Sequence, residues 1–332
     1  MRLPPDLQRA IEEEAAQIAL PQRKSAAQEL SELYRRGDLR HAALSTGAHR
    51  AAYLQSRMPA TYAACCKVFS EIRQRLAGEA GMQLRSLLDL GAGPGTAAWA
   101  ARESFPGLRE FTLVERDHEM AKIGRRMFCR GDHEELSQVG WVCSDATKSA
   151  APQHDLVVIS YLLAELPPGV AERLVLSAWR AASSLLVIIE PGTPRSFQTV
   201  LSARQALIDA GARILAPCPH HKACPMAAIP PGANRDDWCH FATRVERTAE
   251  HRRLKRGELG YEDEKYSYLV AGRNAQDGAV LRARIVRHPL FRPGHVKLTL
   301  CTADGLKQET IGRSEAQRYR QARKAEWGDV WE

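Results

Sequence analysis

The run Ser86-Leu87-Leu88-Asp89-Leu90-Gly91-Ala92-Gly93-Pro94-Gly95-Thr96 constrains this chain more than any other feature. A short, mostly apolar strand leads into three glycines at alternate positions, and the Ala-rich segment from Thr96 to Ser104 then reads as a helix. Glycine lets a strand turn straight into a helix and lets backbone approach a ligand, because no Cβ stands in the way. This is the opening of a β-α-β unit. Further strands are expected at Glu110 to Glu115, Gly140 to Cys143, Asp155 to Ser160 and Ser184 to Glu190. Helices are expected around His118 to Phe128 and after Pro168. Strands alternating with helices imply a parallel sheet covered on both faces.

Two ligand classes compete for such a turn. Dinucleotide-binding folds show G-x-G-x-x-G, with a pyrophosphate at the helix N-terminus. Here the pattern is G-x-G-x-G behind Asp89, the usual form in class I methyltransferases, and it favours S-adenosylmethionine over a nicotinamide or flavin. The candidate cofactor residues are Asp89, Gly91, Ala92, Gly93, Gly95 and Thr96 in the turn, then Glu115, Asp145 and Tyr161 at later strand ends. An acid near the turn can meet the cationic amino-acid end of the ligand. Glu115 suits ribose hydroxyls, the Ser144-Asp145 end suits adenine, and Tyr161 suits the wall beside the methyl group. No catalytic residue is assigned. The fourth strand lacks an Asn-Pro-Pro-Tyr-type loop, and no cysteine stands where a cytosine-carbon nucleophile is needed. Glu165 is near enough to face the methyl group and equally suited to hydrogen-bonding the backbone of its own Pro-rich loop.

Residues 1–80 are rich in Ala, Leu, Glu, Gln and Arg and read as helical, with stops near Pro21, Gly37-Asp38 and Gly78. Pro59 suits a helix first turn. Cys65 and Cys66 inside that helix point in different directions and read as packing residues. Residues 81–212 form the expected cofactor domain, and 213–332 a Cys-rich and basic β-rich region. In that region a polar helix is expected from Thr243 to Arg256. Tyr266 to Val270, Val280 to Val286 and His295 to Leu300 are expected to make a small antiparallel sheet. The segment from Arg282 to Lys324 carries eleven Lys and Arg against three acids, a surplus equal to the whole chain's net charge of +8. Such a segment reads as a polyphosphate-binding surface or an ordinary solvated basic face. Tyr319, Trp327 and Trp331 are placed to stack on bases or to pack a core. No apolar run approaches the ~20 residues of a membrane helix. The opening Met1 to Asp6 resembles neither a signal nor a transit sequence, so a cytoplasmic protein is expected.

Four of the eight cysteines fall in this last region. Cys218 and Cys224 are C-x5-C, Cys239 follows with fourteen residues between, and Cys301 lies on a β-like run far downstream. The spacing departs from the close pairs of most structural zinc sites. It leaves three readings open: an iron–sulfur cluster on four thiolates, zinc with help from His220, His221 or His240, or buried thiols with no metal.

Taken together, several runs resemble the methyltransferase-like protein family of the mitochondrial small ribosomal subunit and its bacterial relatives. They are Arg57-Met58-Pro59-Ala60-Thr61-Tyr62-Ala63-Ala64, the Gly-rich turn, Cys218-Pro219-His220, Cys224-Pro225, Trp238-Cys239-His240-Phe241, Glu264-Lys265-Tyr266-Ser267-Tyr268, and the tail with Lys324 and Trp327-Gly328-Asp329. The resemblance spans nearly the whole chain. It implies a Rossmann-like class I methyltransferase sheet, an N-terminal helical region, and a C-terminal Cys-rich loop with a small antiparallel sheet. It also implies S-adenosylmethionine binding and a [4Fe-4S] cluster on Cys218, Cys224, Cys239 and Cys301, ahead of zinc. The implied partner is the small ribosomal subunit or its RNA. Two functions follow: methylation of ribosomal RNA, or a non-catalytic assembly or translation factor that uses both cofactors structurally.

Overall fold

A computed structural model describes residues 1–36, 44–76, 84–130, 139–149, 152–227, 237–255, 259–273 and 281–332. The N-terminal region folds as helices α1 (Pro5–Ala16), α2 (Leu20–Arg36), α3 (Gly47–Ser56) and α4 (Met58–Leu76). Pro59 lies in the first turn of α4, where its missing N–H is no loss. Thr46 caps α3, its hydroxyl accepting from His49 N at 3.1 Å. Cys65 is buried in the core as expected. The expected stops at Gly37-Asp38 and Gly78 lie outside the described residues.

The Rossmann-like unit then runs β1 (Ser86–Leu90), α5 (Thr96–Ser104), β2 (Glu110–Glu115), α6 (His118–Arg130), β3 (Gly140–Cys143), β4 (His154–Ser160), α7 (Pro168–Ala181), β5 (Ala182–Pro191) and α8 (Pro194–Asp209). It continues with β6 (Arg213–Ala216), β7 (Phe241–Glu246), α9 (Ala249–Lys255) and β8 (Tyr261–Gly272). The strand order is β3-β2-β1-β4-β5-β8-β6, with β7 also paired to β8. The first five strands are parallel, and β8 is antiparallel to β5.

Alternate residues of these strands go to opposite faces. Leu87, Leu156, Leu185, Val187 and Val270 pack with α4 and α5, whereas Leu88, Val157, Leu186, Ile188 and Leu269 pack with α7 and α8. Burial on both faces explains the near-continuous apolar strands. It also corrects one expectation. Tyr266 to Val270 is not part of the small sheet but the middle of β8, inserted in the main sheet. A second correction concerns Thr243 to Arg256. Phe241, Thr243 and Val245 are buried and their neighbours less so, an alternation that suits a strand. Only Ala249–Lys255 is helical.

The small antiparallel sheet consists of β9 (Ala283–Ile285), β10 (Leu290–Arg292), β11 (His295–Thr302), β12 (Gly305–Gly312) and β13 (Val330–Trp331), with helix α10 (Ala316–Ala322) beside it. Ile285, Val296, Leu298, Leu300, Ile311 and Trp331 form its own core. Among the described residues no helix is long and apolar enough to cross a membrane.

Candidate cofactor cleft and cysteine centre

The glycine turn does what its residue types allow. Gly91, Gly93 and Gly95 all have positive φ, at 76°, 56° and 83°. A Cβ on Gly95 would lie 2.5 Å from the Phe128 ring, so this glycine lets α5 pack on α6. A Cβ on Gly93 would meet only the Tyr53 hydroxyl, at 4.0 Å, so this glycine opens onto free space.

That space is a cavity of about 330 Å³ at the C-terminal ends of the parallel strands, where open α/β sheets bind ligands. Gly91, Gly93, Glu115, Asp145 and Tyr161 line it, joined by Glu165. Asp89, Ala92 and Thr96 are buried behind the turn and do not line it. Ser45, Arg50 and Tyr53 close one side of the cavity from the N-terminal helices. Arg50 is held there by Asp117, with contacts of 3.0–3.2 Å.

The acids of the cleft differ in state. Glu115 accepts from Gly93 N at 2.8 Å and Asp117 N at 2.7 Å, and burial still raises its pKa. Asp145 accepts from the Thr147 hydroxyl and backbone N–H at 2.7 and 2.9 Å, which lowers its pKa. Burial pushes Glu165 up to about 7. Asp89 is fully buried, neither carboxyl oxygen has a hydrogen-bond partner, and burial followed by the charge of Glu115 pushes it up to about 8.

The loop after β4 is held by a residue that sequence reasoning missed. Glu190, at the end of β5, accepts from the backbone N–H of Leu162, Leu163 and Ala164 at 3.0, 2.7 and 3.2 Å. This frees Glu165 from that task. The only available signal was an acid closing an apolar strand. Tyr161 adopts φ +56° and donates its hydroxyl to Glu264 at 2.8 Å, and Arg57 pairs with the same carboxylate at 3.3 Å. The motif residues of α4 and β8 therefore brace the wall of the cleft.

The cysteines converge at a break in the sheet edge. β8 pairs with β6 along its C-terminal half and with β7 along its N-terminal half. Cys218 leaves two residues after β6, and Cys239 arrives two residues before β7, so both stand in the gap. Ser267 of β8 fixes the second, donating its hydroxyl to Cys239 O at 2.9 Å. The small sheet closes the gap. Cys301 is paired with Arg284 across β11 and β9, on the face opposite Leu300 and Ile285.

The four thiols lie near enough to disfavour one another's ionisation. Burial, then Cys218, Cys224 and Cys301, hold Cys239 far above the usual thiol range. Burial, then Cys218 and Cys224, push Cys301 up to about 12. Burial raises Cys218, while Arg204 and Arg284 draw it down. Among the described residues no three His, Cys, Asp or Glu side chains are grouped to hold a metal ion as they stand.

Arg284 knits this centre to the rest of the molecule. It is 2% exposed and donates to Pro217 O at 3.0 Å, Gly328 O at 2.6 Å and the carboxylate of Glu71 on α4. Sequence reading counted it among the basic surface residues, and burial removes it from that surface.

A sheet ordered β3-β2-β1-β4-β5-β8-β6, with a glycine turn opening onto a cleft at its strand ends, defines a class I methyltransferase-like fold. The chain belongs to the family described as "Mitochondrial small ribosomal subunit Rsm22", which matches residues 48–332. It is 28% identical over 295 residues to the human "Ribosome assembly protein METTL17, mitochondrial", covering 84% of this chain and 61% of that protein. It is 27% identical over 337 residues to "Rsm22-cox11 tandem protein 2, mitochondrial" of Schizosaccharomyces pombe, covering 84% of this chain and 42% of that one. The chain thus spans less than two thirds of the length of these relatives. Among solved structures it is similar to magnesium protoporphyrin IX methyltransferase from Synechocystis PCC 6803 with bound SAM, at 13% identity and TM-score 0.40, over 65% of this chain and 80% of that one.

Proposed function

We propose that this chain is an S-adenosylmethionine-binding, iron–sulfur factor that acts on the small ribosomal subunit. The observation that carries this reading is the placement of Cys218 and Cys239 in the gap between β6 and β7, with Cys224 and Cys301 near enough for the thiols to act on one another's ionisation. Cys218, Cys224, Cys239 and Cys301 would hold a [4Fe-4S] cluster, the form that four thiolates with one distant in sequence commonly support. Such a cluster would tie together segments that are otherwise far apart in the chain.

The cleft suits S-adenosylmethionine by its glycine turn and its acids at successive strand ends. Glu115 would accept from ribose hydroxyls, and Asp145 would face the adenine edge. Gly93 leaves room for the ligand that any side chain would fill.

The small sheet offers the RNA-facing surface. Arg292, Lys297, Lys307, Arg313, Arg320 and Lys324 are exposed, and none has an ion pair with a described residue. Lys and Arg gain affinity from counterion release on meeting phosphates. The human relative is described as a ribosome assembly protein, which agrees with that partner.

The test is binding of purified chain to isolated small subunits. Cys224→Ser is expected to lose the brown chromophore and subunit binding together. Full-strength binding without iron contradicts the linkage.

A second reading, methyl transfer to ribosomal RNA, is favoured by Glu165. Its carboxyl lines the cleft with a pKa near neutrality, as a general base requires. S-adenosylmethionine would supply the electrophilic methyl, and Glu165 would take a proton from the accepting group. Transfer of labelled methyl to subunits or their precursors, abolished by Gly93→Arg, supports this reading. Cofactor binding without transfer supports the factor.

A further inference from the structure

Arg204 stands on α8 with 3% of its surface exposed. Its NH2 group donates to His220 O at 2.7 Å and to Lys222 O at 2.9 Å, both inside the loop between Cys218 and Cys224. Its Nε is buried with no hydrogen-bond partner. No described carboxylate pairs with it, although its charge acts on Cys218 and Cys301. A buried guanidinium whose partners are two carbonyls and the Cys218 thiol, with no carboxylate, lacks a compensating anion, and such charges are retained where an anion meets them. The other buried cation at the gap, Arg284, already has Glu71.

We propose that Arg204 is a positioning residue for the anionic metal centre: it supplies the buried counter-charge and sets the centre's reduction potential. This rests on the reading that the four thiols hold an iron–sulfur cluster. Four thiolates on such a cluster leave a net negative charge, and one-electron reduction adds to it. A fixed cation beside it stabilises the reduced form more than the oxidised one. Hydrogen bonds and local charge are established ways to tune such potentials. The same side chain clamps the loop carbonyls, so charge and clamp must be separated. Lysine keeps the charge and loses the planar fork.

The experiment uses the full chain purified anaerobically as wild type, Arg204→Lys and Arg204→Gln. Iron and sulfide are quantified, and the cluster is titrated with dithionite under electron paramagnetic resonance. The expected result is a midpoint in Arg204→Gln lowered by at least tenfold in the reduction equilibrium, about 59 mV for a one-electron couple. Arg204→Lys is expected to stay near wild type. A loaded Arg204→Gln cluster with an unchanged midpoint overturns the proposal. Equal loss of iron in both variants assigns Arg204 to the clamp alone and also overturns it. A wild-type chain without iron and sulfide overturns the cluster reading first, and this inference with it.

Discussion

Replacing Asp89 by asparagine removes a carboxyl that the fold buries completely and leaves without a hydrogen bond. The unfolded chain has an ordinary aspartate, ionised above about pH 3.9. The folded chain holds the same group protonated up to about pH 8. A raised folded pKa contributes stability that is fully present below the unfolded value and is lost as pH climbs to the folded one. Each pH unit in that window is worth about 1.36 kcal/mol, so wild type should lose about 2.7 kcal/mol relative to Asp89→Asn between pH 5 and pH 7. Glu165 and Glu190, both raised to about 7 by burial, add a similar slope, but they are common to both proteins and largely cancel in the difference. Urea unfolding of both proteins at pH 5, 6, 7 and 8 reads the effect directly. The gap in stability should widen steadily in favour of the variant up to pH 7 and level off past pH 8. Parallel profiles, with the gap constant to about 0.5 kcal/mol, would refute the assignment of an uncompensated buried carboxyl.

Two further outcomes follow from the same structure. Gly93→Arg puts a side chain at φ 56° and aims it into the cleft, so equilibrium dialysis should show S-adenosylmethionine binding lost. Its circular dichroism should remain that of the wild type. Glu14, with its side chain 2% exposed, binds Arg126 and Arg130 and ties α1 to α6. Burial raises its pKa, but the two arginines together outweigh burial and leave it below the ordinary range. Its stabilisation is therefore present above about pH 4.3 and is lost as acid takes the pH through the folded value. Glu14→Gln should reduce stability at pH 7 by about 1–2 kcal/mol, discounted because both arginines are partly exposed, and should flatten the acid limb of thermal unfolding.

The parts of this fold that could be read from sequence were those with one dominant local cause. The glycine turn could be read because only glycine suits three positive φ values, and the five parallel strands because each is an apolar run between turn signals. What escaped depended on partners distant in the chain. β8 looks like any β-like run until its burial on both faces shows that it belongs between β5 and β6. β7 is polar enough to mimic a helix, because alternate positions face solvent at a sheet edge. β12, with Lys307, Gln308 and Glu309, carries almost no apolar signal and exists because it pairs with β11. The cysteines could be counted in sequence, but not the gap between β6 and β7 that gathers them. Arg204 and Arg284 looked like ordinary basic residues, and only their burial separates them from the surface set.

The most direct measurement is elemental: iron, acid-labile sulfide and zinc per chain in anaerobically purified wild type and Cys301→Ser, each with a visible spectrum. The account predicts about four iron and four sulfide per wild-type chain, a brown absorption band, and loss of both in the variant. One zinc per chain, or a colourless protein whose properties are unchanged in Cys301→Ser, would contradict it.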